Sequence, residues 1–207
     1  MSWPAVFERA RDDVTIKQIQ TALADHRAAK QPAEGTDDAD DEPAVTDPPE
    51  PSPTRVVADA DVLAADCCLD GPSRTVLDGL YEHSWMTLVA SDQLLDDAAA
   101  VIERVADRSL ADEWREAIDA WRQPVGQPAG DHPAVASAYR GGAMQLLSYD
   151  DQLTASAAGA ALTDRFPVSV RQPDAFVLLF DPASLYANAH DDAYSGPDHE
   201  PRADQPA

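Results

Sequence analysis

Asp59 and Asp61 stand one residue apart in RVVADADVLAAD (residues 55–66), just after the apolar pair Val56 and Val57 and just before Val62 and Leu63. Carboxylates placed this way beyond a buried strand can solvate an acidic turn, or supply part of an oxygen-rich site for a hard divalent cation. The second use needs further acids from elsewhere in the chain. Asp150 ends the apolar run MQLLSYD, Asp131 precedes a helix-forming stretch, and Asp97 lies in a helix that starts after Ser91. At about 100° per residue, Asp96 points roughly 160° from the apolar face centred between Leu94 and Leu95, into solvent. Asp97 lies about 100° away, at the margin of that face, and could look into a crevice. Any one of these acids alone reads as a strand-end turn or a helix cap. Gathered at one place they repel, and a divalent cation is the usual remedy. Ser148, two residues before Asp150, could donate to a ligating carboxylate or a phosphate. His132, at the start of a helix, is expected to face solvent.

The elements that must position these residues alternate. RVVADA and SWMTLVA read as buried strands, as do AMQLLS and FPVSV. Between them the 3.6-residue period predicts helices: one over 62–69, one capped by Ser73, one by Ser91, one by Ser109 with Asp112, and one from Asp131 to Gly141. A last helix starts at Pro173 and runs through Phe176 and Phe180. Strands alternating with helices predict an α/β fold, a three-layer α/β/α sandwich around a mainly parallel sheet. Functional crevices in such sheets lie beyond the carboxyl ends of the strands, where Asp59, Asp61 and Asp150 fall. A helix feeding a parallel strand begins at that same edge, which adds Asp131.

The rest of the chain is set by composition. Of 207 residues, 38 are Asp or Glu and 15 are Lys or Arg, for a formal net charge of -23. Asp outnumbers Glu 29 to 9, and only Lys17 and Lys30 are lysines. Such self-repulsion is tolerable where salt screens it, which points to a salt-rich cytoplasm like that of halophilic archaea. No basic face announces a polyanion partner. Adjacent Cys67 and Cys68 cannot readily pair with each other and read as small apolar fillers. No apolar run approaches the ~18 residues of a membrane span, so a cytoplasmic protein with no membrane partner is expected. Residues 31–54 hold six prolines and eight acids with no aromatic residue, the composition of a disordered linker. Residues 1–30 form a separate helical segment, with Trp3, Phe7, Ile16, Ile19 and Leu23 as an apolar stripe. With five cations against four acids it is nearly neutral. It is expected to dock on its own domain, a second copy of the chain or another protein. The folded domain is expected over 55–187, and residues 188–207 as a disordered acidic tail.

This pattern resembles the PIN-domain nucleases over about 130 residues of the chain. The family's first motif stands as Asp59-Ala60-Asp61-Val62-Leu63, and its second as Ser91 with Asp97. The third is Asp131 with Ala138, and the fourth is Ser148-Tyr149-Asp150. Pro173 to Phe176 matches the closing helix start. The resemblance implies a metal-dependent endoribonuclease that hydrolyses phosphodiesters in single-stranded RNA. It implies catalytic Asp59, Asp97, Asp131 and Asp150, and Mg²⁺ or Mn²⁺ held by these with Asp61 and supported by Ser148. Asp97 departs from the Glu usual in the family, and one methylene less draws its carboxylate back. An antitoxin-like protein partner through residues 2–30 is a further expectation. Arg74, Arg140, Arg165 and Arg171 are the candidate RNA contacts. The competing reading is a PIN-like module without catalysis that recruits a partner through its N-terminal helix.

Overall fold

The computed structural model describes residues 3–11, 13–30, 47–128 and 130–204. Two helices open the chain, α1 (Trp3–Phe7) and α2 (Ile16–Lys30). Five strands follow in one sheet: β1 (Ser52–Ala58), β2 (Thr87–Ser91), β3 (Gln123–Val125), β4 (Ala143–Leu147) and β5 (Ser169–Arg171). All pair in parallel, in the order β3-β2-β1-β4-β5. The helices are α3 (Ala60–Cys68), α4 (Pro72–Tyr81), α5 (Asp92–Val105), α6 (Arg108–Asp119), α7 (Pro133–Gly141), α8 (Asp151–Thr154), α9 (Ser156–Thr163), α10 (Pro173–Leu179) and α11 (Pro182–Ala189). The expected α/β fold with a helix-flanked parallel sheet is therefore observed. Strand order reverses between β1 and β4, which is where open α/β sheets leave a crevice at their carboxyl edge.

Burial explains the sequence pattern. Val56, Val57 and Ala58 of β1 are all buried, as a central strand covered on both faces requires. Every residue of α3 is buried, so this helix runs through the core. It carries acids with it: Asp61 and Asp66 are as buried as Val62 and Leu63. Cys67 and Cys68 are buried and free, and contact with Cys68, together with burial, pushes the Cys67 thiol well up. Gly141 closes α7 against β2, where a Cβ would sit 2.3 Å from Val89 Cγ1. Gly142 then ends the helix with φ 60°.

Several boundaries differ from the sequence expectation. Residues 2–30 are two helices, because Thr15 starts a new one: its Oγ1 lies 2.7 Å from Gln18 Oε1 and accepts from Gln18 N at 3.3 Å. Thr15 thus acts as the N-cap, with the Gln18 side chain held by its hydroxyl. Of the expected linker, residues 31–46 lie outside the described residues, while Ser52, Pro53 and Thr54 already belong to β1. Asp107, not Ser109, caps α6, accepting from Leu110 N at 2.9 Å. Gly71 precedes α4 with Pro72 in its first turn, and Ser73 instead bonds Tyr149 Oη at 2.8 Å. Strand β3 is not among the expected strands; Pro124 is tolerated there because β3 is an edge strand.

The largest correction concerns the two ends of the chain. Trp3, Val6, Ile19 and Leu23 are buried in the same core as the sheet, so the N-terminal segment is part of the domain. Fully burying Ile19 and Leu23 is worth about 1.5–3 kcal/mol each relative to exposure. The expected acidic tail packs back as well. Arg202 is 0% exposed. It pairs with both oxygens of Asp66 at 2.6 and 2.9 Å and with Asp78 Oδ1 at 2.7 Å. Its guanidinium lies 4.8 Å from the Trp3 ring centroid and 5.5 Å from that of Trp121. Further along the tail, Tyr194 Oη sits 2.6 Å from His83 Nε2, and Asp198 accepts from Ser84 N at 2.8 Å. Among the described residues no helix is long and apolar enough to cross a membrane.

Two stability outcomes follow from this packing. Arg202→Ala strips the main cation from buried Asp66, leaving only Arg74 at 3.3 Å. Urea denaturation is expected to show a loss of about 3 kcal/mol, the lower end for breaking a buried pair. A loss below about 1 kcal/mol would mean the clamp is dispensable. Gly141→Ala should cost about 1–3 kcal/mol through overpacking on Val89, readable as a lowered urea midpoint at unchanged slope.

Candidate functional site

The β1–β4 register pairs Ala58 with Leu147, so the next residues, Asp59 and Ser148, leave the sheet side by side. Asp59 N donates to Leu147 O at 2.8 Å, and Ser148 Oγ donates to Asp59 Oδ2 at 3.1 Å. Asp59 also caps α3, its Oδ1 accepting from Ala60 N at 2.7 Å. Asp61 reaches across the same gap, where its Oδ2 accepts from Tyr149 N at 3.0 Å. Its Oδ1 is buried with no hydrogen-bond partner among the described residues. Burial, and next the Asp59 charge, push the Asp61 carboxyl well above the usual carboxylate range. Asp150 N donates to Ser148 Oγ at 3.0 Å, while its own Oδ1 accepts from Gln152 N at 2.7 Å and opens α8. Ser148 thus ties Asp59 to the backbone of Asp150.

Asp97 arrives from α5, whose start is capped by Ser91 accepting from Leu94 N at 3.2 Å. Asp97 is 1% exposed whereas Asp96 is 61% exposed, as the helical geometry requires. Asp97 and Asp59 meet on one guanidinium. Arg27 of α2 donates from Nη2 to Asp59 Oδ1 at 2.9 Å and from Nε to Asp97 Oδ2 at 3.1 Å. Lys30 Nζ donates to Asp97 Oδ1 at 2.8 Å. His26 Nε2 lies 3.4 Å from that oxygen without hydrogen-bond geometry.

His132 is part of this cluster and does not simply face solvent. Its Nε2 is 3.1 Å from Arg27 Nη1 and 4.0 Å from Asp59 Oδ2. Burial lowers its pKa, against the opposing pull of Asp59, and its buried Nδ1 has no partner among the described residues. Asp131 is placed differently. It lies one residue ahead of the α7 cap, which is His132, and it is exposed. Its backbone oxygen accepts from Gln127 Nε2 at 3.1 Å, and Ser91 Oγ in turn donates to Gln127 Oε1 at 3.2 Å. No hydrogen bond or ion pair engages its carboxylate among the described residues. The structure thus gathers Asp59, Asp61 and Asp97 with Ser148 and Asp150 beside them, and leaves Asp131 at the rim.

The rim opens into a cleft of about 380 Å³ lined by Asp131, His132, Tyr139, Arg140, Arg165 and Phe166. Tyr139 and Phe166 meet edge to face at 5.5 Å. Of the expected RNA contacts, Arg140 and Arg165 therefore flank the site. Arg74 does not: it packs 3.3 Å from the Phe7 ring centroid and donates to Asp66 O. Arg171 donates to Gln145 Oε1 at 2.6 Å.

The donor set can be tested against the divalent cation that the PIN resemblance implies. While Arg27 and Lys30 are paired to Asp59 and Asp97, those oxygens do not fit one. Among the described residues no three of His, Cys, Asp and Glu are arranged to hold a metal ion. Two unmatched features remain, the orphan Asp61 Oδ1 and the unengaged Asp131 carboxylate.

Arg27, Lys30 and His26 are the site residues that sequence reasoning missed. A signal was there: in a chain with 15 Lys and Arg against 38 acids, a 29-residue segment of net positive charge is out of place.

Fold and site together define an α/β domain with a cluster of buried, cation-paired acids at the switch point of a parallel sheet. Residues 50–202, well over half of the chain, match the model of a family described as a family of unknown function, DUF7384. The chain belongs to that family. No curated protein and no solved structure matches it.

Asp61 generates a pH prediction. A carboxyl whose folded pKa is raised contributes stability below its unfolded value, near 3.9, and that contribution is lost as pH rises through the folded pKa. Asp61→Asn in EDTA should therefore stabilise the domain at pH 7, with the advantage shrinking as pH falls toward 4. Melting curves across that range would show it, and a pH-independent difference would contradict it.

Proposed function

We propose that this domain is a PIN-like phosphodiesterase centre acting on single-stranded RNA with Mg²⁺ or Mn²⁺, inside a salt-rich cytoplasm. The single observation that carries this reading is the meeting of Asp59 and Asp97 on one point. They come from different elements, both are buried, and both sit at the carboxyl edge beside the β1–β4 reversal. Burying carboxylates there requires imported cations, a cost that a functional role would explain. Asp61, Asp131 and Asp150 are the further candidates, with Ser148 holding Asp59 in place. The adjoining cleft supports the polymer side of the reading. Tyr139 offers a partly exposed ring for base stacking, and Arg140 and Arg165 offer cations for phosphates. High salt weakens phosphate contacts steeply, so a halophilic protein gains less from a wide basic face.

A second reading, a non-catalytic module, is favoured by one observation: the acids are already neutralised by Arg27 and Lys30. Its proposed recruiting surface is not supported, because the apolar residues of α2 are buried in the protein's own core.

Cleavage of single-stranded RNA in molar KCl with Mn²⁺ separates the two readings. It should be measured for the wild type and Arg27→Ala/Lys30→Ala, each with and without Asp59→Asn. Hydrolysis that falls by roughly 10²-fold or more with Asp59→Asn, the scale of losing a principal electrostatic group, supports the nuclease. Hydrolysis in none of the four proteins leaves the module.

A further inference from the structure

We propose that the cleft between α7 and the end of α9 is a nucleotide-binding site that works without metal: a base stacks on Tyr139 and its flanking phosphates pair with Arg140 and Arg165. The ligand is a unit of single-stranded nucleic acid or the equivalent free nucleotide. The proposal goes beyond the nuclease reading, because Asp59, Asp61, Asp97 and Asp150 take no part in it, and it stands if that reading fails.

The argument starts from what the two arginines lack. In a chain with 38 acids against 15 Lys and Arg, a guanidinium finds an acid almost by default. Arg55 donates to Gly141 O and Arg171 to Gln145 Oε1. Every other arginine but two pairs with Asp or Glu. Those two are Arg140 and Arg165, whose side chains have no hydrogen bond or ion pair among the described residues. Both line the same cleft of about 380 Å³. Only one acid, Asp131, shares that lining, although the chain carries a net charge of -23. Two guanidinium forks kept clear of acids on one small surface are placed to receive an outside anion.

The aromatic residues select which anion. Tyr139 and Arg140 lie in the last turn of α7, and Arg165 and Phe166 follow α9, so each wall carries a ring next to an arginine. Tyr139 is 44% exposed, the one exposed Phe, Tyr or Trp ring among the described residues. Phe166 braces it edge to face at 5.5 Å and itself packs on the core. An open ring beside free cations is what single-strand binders use: the ring takes the face of a base and the cations take phosphates. A bare phosphate or carboxylate engages the forks alone, so the ring distinguishes a nucleotide from other anions. The cleft volume falls in the range of small-ligand sites, about 300–1,000 Å³.

The test is equilibrium binding of a labelled oligouridylate of about eight nucleotides, within the site sizes of single-strand binders, to the full chain in EDTA. Fluorescence anisotropy is read across a series of KCl concentrations, with uridine monophosphate, unlabelled oligomer and inorganic polyphosphate as competitors. The wild type should bind. Tyr139→Ala should weaken binding roughly tenfold, the scale of one lost base stack, and Tyr139→Phe should retain it. Arg140→Gln/Arg165→Gln should weaken binding and flatten the slope of log affinity against log salt by about 1.4, at about 0.7 per phosphate contact on a single strand. Arg104→Gln/Arg108→Gln removes the same charge from an exposed surface elsewhere and should change neither quantity. Competition by uridine monophosphate would show that a free nucleotide suffices, and competition by the oligomer alone would assign the site to a strand; both support the proposal. No binding at the lowest salt would overturn it, as would full binding by Tyr139→Ala. Equal losses in the two arginine pairs would overturn it in favour of diffuse charge. Polyphosphate competing as well as the oligomer would also overturn it, and this arm, run on the wild type, decides if a variant fails to fold. Binding in EDTA without cleavage in Mn²⁺ keeps the proposal and sinks the nuclease reading.

Discussion

Buried carboxylates need partners, and this chain has few to give. Asp59, Asp61, Asp66 and Asp97 are all buried, in a protein whose acids outnumber its Lys and Arg 38 to 15. An unpaired ion in a low-dielectric interior is so costly that it must be paired, hydrogen-bonded or protonated. The fold uses all three remedies. Asp66 is clamped by Arg202, Asp59 and Asp97 share Arg27, and Asp61 is pushed toward its protonated form. The cations come from the two ends of the chain. Arg202 arrives from the C-terminal segment and Arg27 from α2, so both ends are drawn onto a central helix, α3, that would otherwise carry uncompensated acids into the core.

The two clamps differ in kind, and the difference bears on function. Arg202 is sealed: it is fully buried, forked onto Asp66, and covered by Trp3 and Trp121. Replacing any one of those groups leaves another without its partner, so the arrangement is structural. Arg27 and Lys30 sit at the end of a helix, partly exposed, over two buried acids. Charge compensation there is partly solvent-exposed, with the Arg27 and Lys30 side chains 24% and 42% exposed. One constraint thus yields a sealed staple in one place and a partly exposed contact in the other.

Much of the architecture was legible because burial writes a period into a sequence. The unbroken Val56-Val57-Ala58 run marked a strand covered on both faces, and Ser91 followed by Leu94 and Leu95 marked a capped helix. Gly141-Gly142 marked a helix end. Asp97 could be separated from Asp96 by angle alone. What misled were positions where two nearby residues could each serve. Asp107 and Ser109 can both cap a helix, and which one does depends on where the chain turns. Composition misled at the C-terminus. GPDHEPRADQPA reads as a tail because one arginine among acids and prolines has no pattern, yet Arg202 is among the most buried side chains in the protein.

By itself the sequence determined the strand-and-helix alternation, the parallel sheet, and the placing of Asp59, Asp61 and Asp150 at its carboxyl edge. These follow from local periodicity and from the handedness of chain connections, which each segment carries within itself. Only the tertiary structure decided what those acids face. A guanidinium's partner is chosen by proximity across some 30 to 70 residues of chain, as with Arg27 and its bonds to Asp59 and Asp97. Nothing in the local spacing of either partner encodes that meeting. It is set by how α2 packs on α3 and α5, through Ile19 and Leu23, and so becomes visible only once the core is assembled.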